Sequence, residues 1–294
     1  MTLSTIIGAI ELGLIFAIMS SGVFITFRVM DFPDLTVDGS FTLGCASGAI
    51  LAYYGHPVIG VAVGFMAGVL AGLCTGFLHT KMKVQYILAG IITMTGLYSI
   101  NLRVAGDKPN FSLFGKDTIY SLFETITNGM FGKFSDLVLL ALVSGVILML
   151  VVLFFKTPVG LALRATGDNE HMVRASSINT DRMKLLGLGL ANGLVALAAA
   201  IYTQYQLFFD MDLGIGMMIV GLTGIIIGET IFGKKSILQS IIALTIGSVL
   251  YRLLLTYVLS MGMNPNDWKL LSAIFVAFVI SLPTIQMYLS KKGK

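Results

Sequence analysis

ALRATGDNEHMVRASSINTDRMKLL, residues 162–186, is a charged island in a chain that is otherwise apolar almost throughout. Arg164, Asp168, Glu170, His171, Arg174, Asp181, Arg182 and Lys184 crowd into this one connection between long apolar runs. Over the whole chain of 294 residues, 56% are hydrophobic and only 12% charged, where a soluble domain carries about 25% charged residues. Composition therefore predicts an all-α polytopic membrane helix bundle. Apolar runs of spanning or near-spanning length occur at 6–27, 40–54, 57–78, 84–100, 136–155, 185–207, 214–232, 237–260 and 270–289, giving about nine spans, with a range of 8–10. The short runs at 40–54, 84–100 and 214–232 are expected to be tilted, broken or re-entrant, which is tolerated where protein or a watery cavity satisfies the backbone.

Basic residues set the orientation. With residues 162–186 in the cytoplasm and alternation outward, the inner side holds Arg28, Lys81, Lys83, Lys156, Arg164, Arg174, Arg182, Lys184, Lys234, Lys235, Lys291, Lys292 and Lys294, thirteen in all. The outer side holds five: Arg103, Lys108, Lys116, Lys133 and Lys269. Thirteen against five satisfies the positive-inside rule, so the charged island is expected in the cytoplasm and, with nine spans, the N-terminus outside and the C-terminus inside. The N-terminal run reads as a retained first span, because it has no basic leader and no small-residue cleavage site. No soluble domain or low-complexity linker is visible, so residues 1–294 form one transmembrane domain, with a cytoplasmic connection at 156–184 and an exterior loop at 101–135.

One span advertises its packing face. Gly60, Gly64, Gly68, Gly72 and Gly76 recur every four residues and form an almost side-chain-free stripe where a neighbouring backbone can approach. Shorter patterns occur at Gly187, Gly189 and Gly193, and at Gly221, Gly224 and Gly228. In the exterior loop, Ile119, Phe123, Ile126 and Met130 share one helical face, with Asp117 a candidate cap, so a surface helix is expected there. Such a helix can lie on the bilayer or help seat an external partner.

Catalytic chemistry is not signalled. GETIFGKK, residues 228–235, approaches the phosphate-cradling loop but has Lys235 where the hydroxyl residue is needed and follows a span instead of a strand. Cys45 and Cys74 lie in apolar segments and read as small buried packing residues; His56, His79 and His171 have no ligand spacing, so no metal site is expected. The net charge of +4 reports orientation and gives no indication of nucleic acid. Ionisable groups inside spans are functional candidates, here Glu11 and Arg252, with Glu229 near a cytoplasmic end. Asn192, Gln204 and Gln206 add neutral polar groups on the sixth span, suited to interhelical hydrogen bonds or to lining a pathway.

From Lys156 onward the sequence closely resembles the permease subunits of bacterial ABC importers of the branched-chain amino acid and ribose group. Thr157, Pro158, Gly160, Ala162, Leu163, Arg164, Ala165, Gly167, Asn169, Ile178, Asn179 and Lys184 fit that pattern, and Ser177 departs from it where the group carries glycine. A second match, DFPDLTVDGSF at 31–41 followed by Leu43 and Gly44, is similar to a subgroup of tryptophan or tyrosine transport permeases. The resemblance implies the type II ABC importer permease fold and a bacterial inner-membrane location. It also implies a homodimer of permeases with two cytoplasmic ATPase subunits, an external substrate-binding protein, and surrounding lipid. ATP and magnesium are then bound by the ATPase; the chain itself carries no cofactor and is no enzyme.

By that resemblance the cytoplasmic connection carries a short coupling helix seated in the ATPase. Its candidate residues are Arg164, Gly167, Asp168, Asn169, Glu170, Met172, Val173, Arg174, Ile178 and Asn179. Thr166 or Asp168 can cap the short helix, Met172, Val173 and Ala175 offer an apolar face, and Arg164, Glu170 and Arg174 offer polar margins. Glu11, Asn192, Gln204 and Arg252 are the candidates for the translocation pathway. The expected cargo is an amino acid, aromatic by subgroup; a branched-chain amino acid, nucleoside or sugar is the alternative. The alternative mechanism is an ion-coupled secondary transporter or channel, which calls for a midplane carboxylate relay or an inverted repeat, and neither is visible.

Overall fold

A computed structural model describes residues 2–234 and 236–261 and, beyond these, residues 270, 273, 274, 276–278 and 281. The ninth expected span, 270–289, and Lys235, Lys269, Lys291, Lys292 and Lys294 fall wholly or largely outside the described residues. The chain is helical from end to end of this range, with long helices α1 (Leu3–Phe24), α2 (Thr36–Tyr53), α3 (Pro57–Thr80), α4 (Tyr86–Val104), α6 (Ser135–Lys156), α9 (Thr180–Gln206), α10 (Met217–Phe232) and α11 (Ile237–Ser260). Short helices α5 (Ile119–Ile126), α7 (Pro158–Asp168) and α8 (Glu170–Ala175) occupy the two long connections. Strands β1 (Asn110–Ser112) and β2 (Phe208–Asp210) pair antiparallel, with Phe111 opposite Phe209.

Among the described residues, seven helical segments are long and apolar enough to cross a membrane. α2 is the long helix left out. It carries Asp38, Ser40, Thr42 and Ser47, yet fourteen of its eighteen residues are buried. Protein rather than lipid surrounds it, so its polar side chains meet hydrogen-bond partners and its low hydropathy carries no solvation cost. The count of nine spans is not established by these residues.

Close backbone approach builds the centre. A Cβ on Gly44 or Gly72 would collide with the carbonyls of Ala196 and Leu188, and one on Gly68 with that of Asn192. Gly64 faces the Ala200 methyl, Gly76 faces Leu185 and Gly60 faces Gly48. The glycine stripe of α3 thus lies antiparallel along α9, and α2 runs parallel to α9 in contact with both, because only glycine leaves room for the backbones to touch. A second seam joins α10 to α11, where Gly228 meets the Ala243 carbonyl and Gly247 that of Gly224.

Several local expectations need correction. Thr118, rather than Asp117, caps α5: its Oγ1 accepts from Ser121 N at 3.3 Å while Ser121 Oγ accepts from Thr118 N at 2.9 Å. The helix buries Tyr120 and leaves Ile126 and Met130 largely exposed, because it is held to the bundle by its N-terminal turn. Cys45 is buried but Cys74 is exposed on the outer side of α3, away from the glycine seam.

Candidate functional site

Two features stand out. The first is the α7–α8 hairpin. Thr157 begins α7, its Oγ1 accepting from Gly160 N at 3.2 Å, and Pro158 occupies the first turn, where its missing N–H costs nothing. Gly160 lies so close to the Phe154 carbonyl that a side chain cannot fit, which folds α7 back on the end of α6. Gly167 plays the same part against the Val29 carbonyl, pressing α7 onto a single π-helical turn, Ile25–Val29, that ends the first span. Thr166 and Asp168 do not cap the next helix, since both lie inside α7. The cap is Asn169, whose Oδ1 accepts from Met172 N at 3.1 Å. Asn179 caps α9 in turn, accepting from Arg182 N at 3.0 Å.

Glu170 and Arg174 pair with one another and with the start of α9. Glu170 Oε2 accepts from Lys184 Nζ at 2.8 Å, and Oε1 accepts from Arg174 Nη2 at 2.7 Å and from Thr180 Oγ1 at 3.1 Å. Arg174 also reaches Thr180 Oγ1 at 2.7 Å and Asp181 at 3.3 Å. Partial burial pushes the Glu170 carboxyl up, but the donors from Lys184 and Thr180 and the Arg174 charge outweigh it and hold the group down at about 2. Glu170 and Arg174 thereby clasp α8 to the start of α9. Val173 is buried beneath α8, leaving Met172 (69% exposed) and Ala175 as its apolar outer surface. Arg164, Asp168 and His171 are exposed around them. Ile178 is half-buried, and Ser177 has φ +62°, a left-handed conformation that favours glycine.

The second feature is a broken helix. After α9 the chain turns at Leu207 (φ +54°), runs back as β2 and a 3-10 turn at Met211–Gly214, and starts α10 beside Asp38. The Asp38 carboxylate accepts from Gly216 N and Met218 N, both at 2.9 Å, satisfying the first amides of α10 and complementing its dipole. Ser40, half a turn along α2, donates to Asn192 Oδ1 at 2.7 Å. Asn192 precedes the end of α9 by about 20 Å at 1.5 Å per residue, so α10 begins deep in the bundle. The run at 214–232 is therefore short because it re-enters and restarts.

These arrangements have counterparts. Residues 5–281 match the family model described as branched-chain amino acid transport system / permease component. The chain belongs to that permease family. It is 37% identical to the tyrosine transport system permease protein of Clostridioides difficile (strain R20291), over 98% of this chain and 95% of that one. It is 26% identical to the ribose import permease of Haemophilus influenzae, over 81% and 71% of the two chains. The fold is shared with PsaBC of Streptococcus pneumoniae, solved in complex with a Fab, at a TM-score of 0.57 and 15% identity, covering 97% of this chain and 94% of that one. The chain is thus a permease component of an ABC transporter and a multi-pass inner-membrane protein, a transport subunit in place of an ion-coupled carrier.

Within this permease the four pathway candidates are held by their neighbours to different degrees. Asn192 is fully buried and spends its amide on Asp34 Oδ2 at 2.7 Å and the Leu188 carbonyl at 3.0 Å. Gln204 accepts from Ile119 N and donates to the Pro57 carbonyl, both at 3.0 Å, tying α5 and the start of α3 to α9. Both act as interhelical glue. Glu11 is buried and accepts from Tyr205 Oη at 2.7 Å instead of reaching an interface. Arg252 lies 5.6 Å from the Phe16 ring centre, and no ion pair reaches it among the described residues. Gly228–Phe232 of the near-miss phosphate motif is helical; Glu229 there pairs with Arg28 (Nε to Oε1, 2.7 Å) and with Lys234 at 3.4 Å.

Asp34, Asp38 and His79 were missed as structural anchors. The first two lie within the family-like stretch 31–41, where Asp34 is fully buried and caps α2 by accepting from Thr36 N at 2.9 Å. Two carboxylates flanking a helix start, Asp-x-Thr-x-Asp, were the available signal. His79 stacks edge-on against Phe32 and lies 3.5 Å from Lys184, joining the C-terminal end of α3 to the clasp.

Proposed function

We propose that this permease forms half of the substrate path of an ATP-driven importer, working by alternating access with a second copy of itself. Two cytoplasmic ATPase subunits would engage the hairpin and an external binding protein would deliver cargo on the outer face. The observation that carries the reading is the α7–α8 hairpin: a folded, clasped projection on the positively charged face that presents Met172, Ala175, His171, Arg164 and Asp168 outward. A purely solvated loop needs neither three side-chain caps nor two glycines pressed on backbone. α2 together with the run at 270–289 would complete nine spans. The cargo proposed is an amino acid, aromatic in preference, supported by the 37% identity to a tyrosine permease.

The test is co-purification with the ATPase and measurement of cargo uptake. Met172→Glu, on an exposed side chain, should leave the permease folded in detergent while reducing retained ATPase by an order of magnitude or more, the size of effect typical of a buried interface anchor. Unchanged retention and uptake in Met172→Glu and Arg164→Glu together would remove the coupling role.

A further inference from the structure

A cavity of about 350 Å³ opens at the break before α10, between α2, α4 and the re-entrant turn. Met94 and Tyr98 supply one apolar wall, and Asp38, Thr42, Asn101 and Asp212 supply the polar one. Its polar wall is one-sided in chemistry. Both Asp38 oxygens face N–H donors of α10, so that carboxylate is satisfied. Thr42 Oγ1 donates to backbone carbonyls of Asp38 and Met211 at 3.3 and 3.4 Å. Asn101 is 1% exposed, and its amide nitrogen donates to the Gly39 carbonyl at 3.1 Å. Its Oδ1 has no partner among the described residues. Asp212 is exposed at the same opening and brings a net negative charge, since among the described residues no ion pair engages it.

A buried amide oxygen without a donor is rare in folded proteins and points to a group that arrives from outside. The unpaired acceptors at its wall are the buried Asn101 amide oxygen, which a small side-chain shift brings to the opening, and the exposed Asp212 carboxylate; among the described residues no Lys, Arg or His lines it. An anion would meet the Asp212 carboxylate with no cation beside it, whereas a primary ammonium offers three N–H donors and a charge of the matching sign. The apolar wall beside it suits a compact hydrophobic substituent.

We infer that this opening is a waypoint for cargo carrying a primary ammonium beside an apolar side chain, with Asn101 Oδ1 and Asp212 accepting the ammonium and Met94 and Tyr98 flanking the rest. The inference rests on the amino-acid reading of the cargo and assigns it residues on this chain.

Cysteine labelling in membrane vesicles bearing the full-length permease tests it. Thr95 lines the opening and is exposed; Thr95→Cys is placed in a Cys74→Ser background, with Ser112→Cys in the exterior loop as the aqueous reference. Ethylammonium methanethiosulfonate should label position 95 about tenfold faster than the ethylsulfonate reagent, relative to the reference, as negative focusing of a cleft dictates. Asp212→Asn should cut that preference at least threefold, and Asn101→Leu should cut it further. Phenethylammonium at millimolar concentration should protect position 95, and phenylpropionate should not. Equal rates for the two reagents, equal protection by both compounds, or no labelling at all would overturn the site and leave an opening filled by water or lipid. Asp212→Asn keeps the test decisive if Asn101→Leu fails to fold, because Asp212 is exposed. Radiolabelled tyrosine uptake separates the two readings: cation preference without uptake removes the amino-acid cargo and keeps an ammonium site, and uptake without cation preference removes the site alone.

Discussion

Glu170→Gln is the perturbation that most directly tests how the hairpin is held. The substitution keeps the size of the side chain and its contact with Thr180, and removes the charge shared by Lys184 and Arg174. Holding the carboxyl at about 2 instead of the ordinary 4.5 corresponds to about 3 kcal/mol at full weight. The Arg174 side chain is 53% exposed and the Glu170 side chain 30%, so water screens that pair. The Lys184 pair, with Lys184 only 18% exposed, keeps most of its value. About 2 kcal/mol remains for docking α8 on α9, a factor of about 30 in the docked population. Amide exchange in nanodiscs reads this at Met172 and Val173, whose N–H groups bond to Asn169; their protection should fall about 30-fold in Glu170→Gln, and Lys184→Met should add little to it. The same group fixes a pH dependence. Its folded value lies below the ordinary one, so its stabilisation is complete above about pH 4.5 and is lost as pH falls toward 2. Unchanged exchange in Glu170→Gln, or protection that is flat from pH 6 to pH 3, refutes the clasp.

Three further outcomes are expected. Ser177→Gly should raise local stability of the turn by about 1 kcal/mol, because glycine adopts the left-handed backbone there without the Cβ clash; a lower melting temperature or faster exchange of the turn amides would count against it. Asn192→Leu should destabilise the fold by about 3 kcal/mol, since it strips the buried Asp34 carboxylate of a side-chain donor, and thermal unfolding in detergent measures it; a stable protein with selectively impaired uptake would instead favour a pathway role for Asn192. Gly72→Ala should abolish folded protein by driving a methyl into the Leu188 carbonyl, whereas Gly145→Ala, with open space around it, should be neutral or better by up to about 1 kcal/mol; size-exclusion profiles of the two variants compare them.

Periodicity and charge carried the fold a long way. The glycine stripe of α3 names its own face, because close backbone packing demands glycine every four residues and nothing else does. The re-entrant start of α10 was signalled only by a short apolar run, since what makes it possible is Asp38, some 180 residues earlier in the chain. α2 shows the converse: its apolar run begins at residue 40, but its helix begins at Thr36, because the added polar turn is buried against α9 and α3. In the hairpin the family-like pattern located the element, while the directions of Val173, Glu170 and Arg174 depended on where α9 lies against α8. One-turn helices have too little periodicity to reveal which side is covered.

The hairpin and the broken helix are also mechanically joined. Gly167 brings α7 onto the π-helical turn that ends the first span, and Arg28 in that turn pairs with Glu229 near the C-terminal end of α10. The other end of α10 is held by Asp38, at the wall of the opening beside Asn101. A partner that displaces the hairpin must therefore do one of two things. It breaks the α8 clasp and moves alone, or it keeps the clasp and carries the π turn, and with it the Arg28–Glu229 end of α10. With about 2 kcal/mol holding α8 to α9, and backbone-to-backbone contact rather than a deformable side chain at Gly167, the second course is the stiffer route. The cavity sits at the far end of the helix so moved.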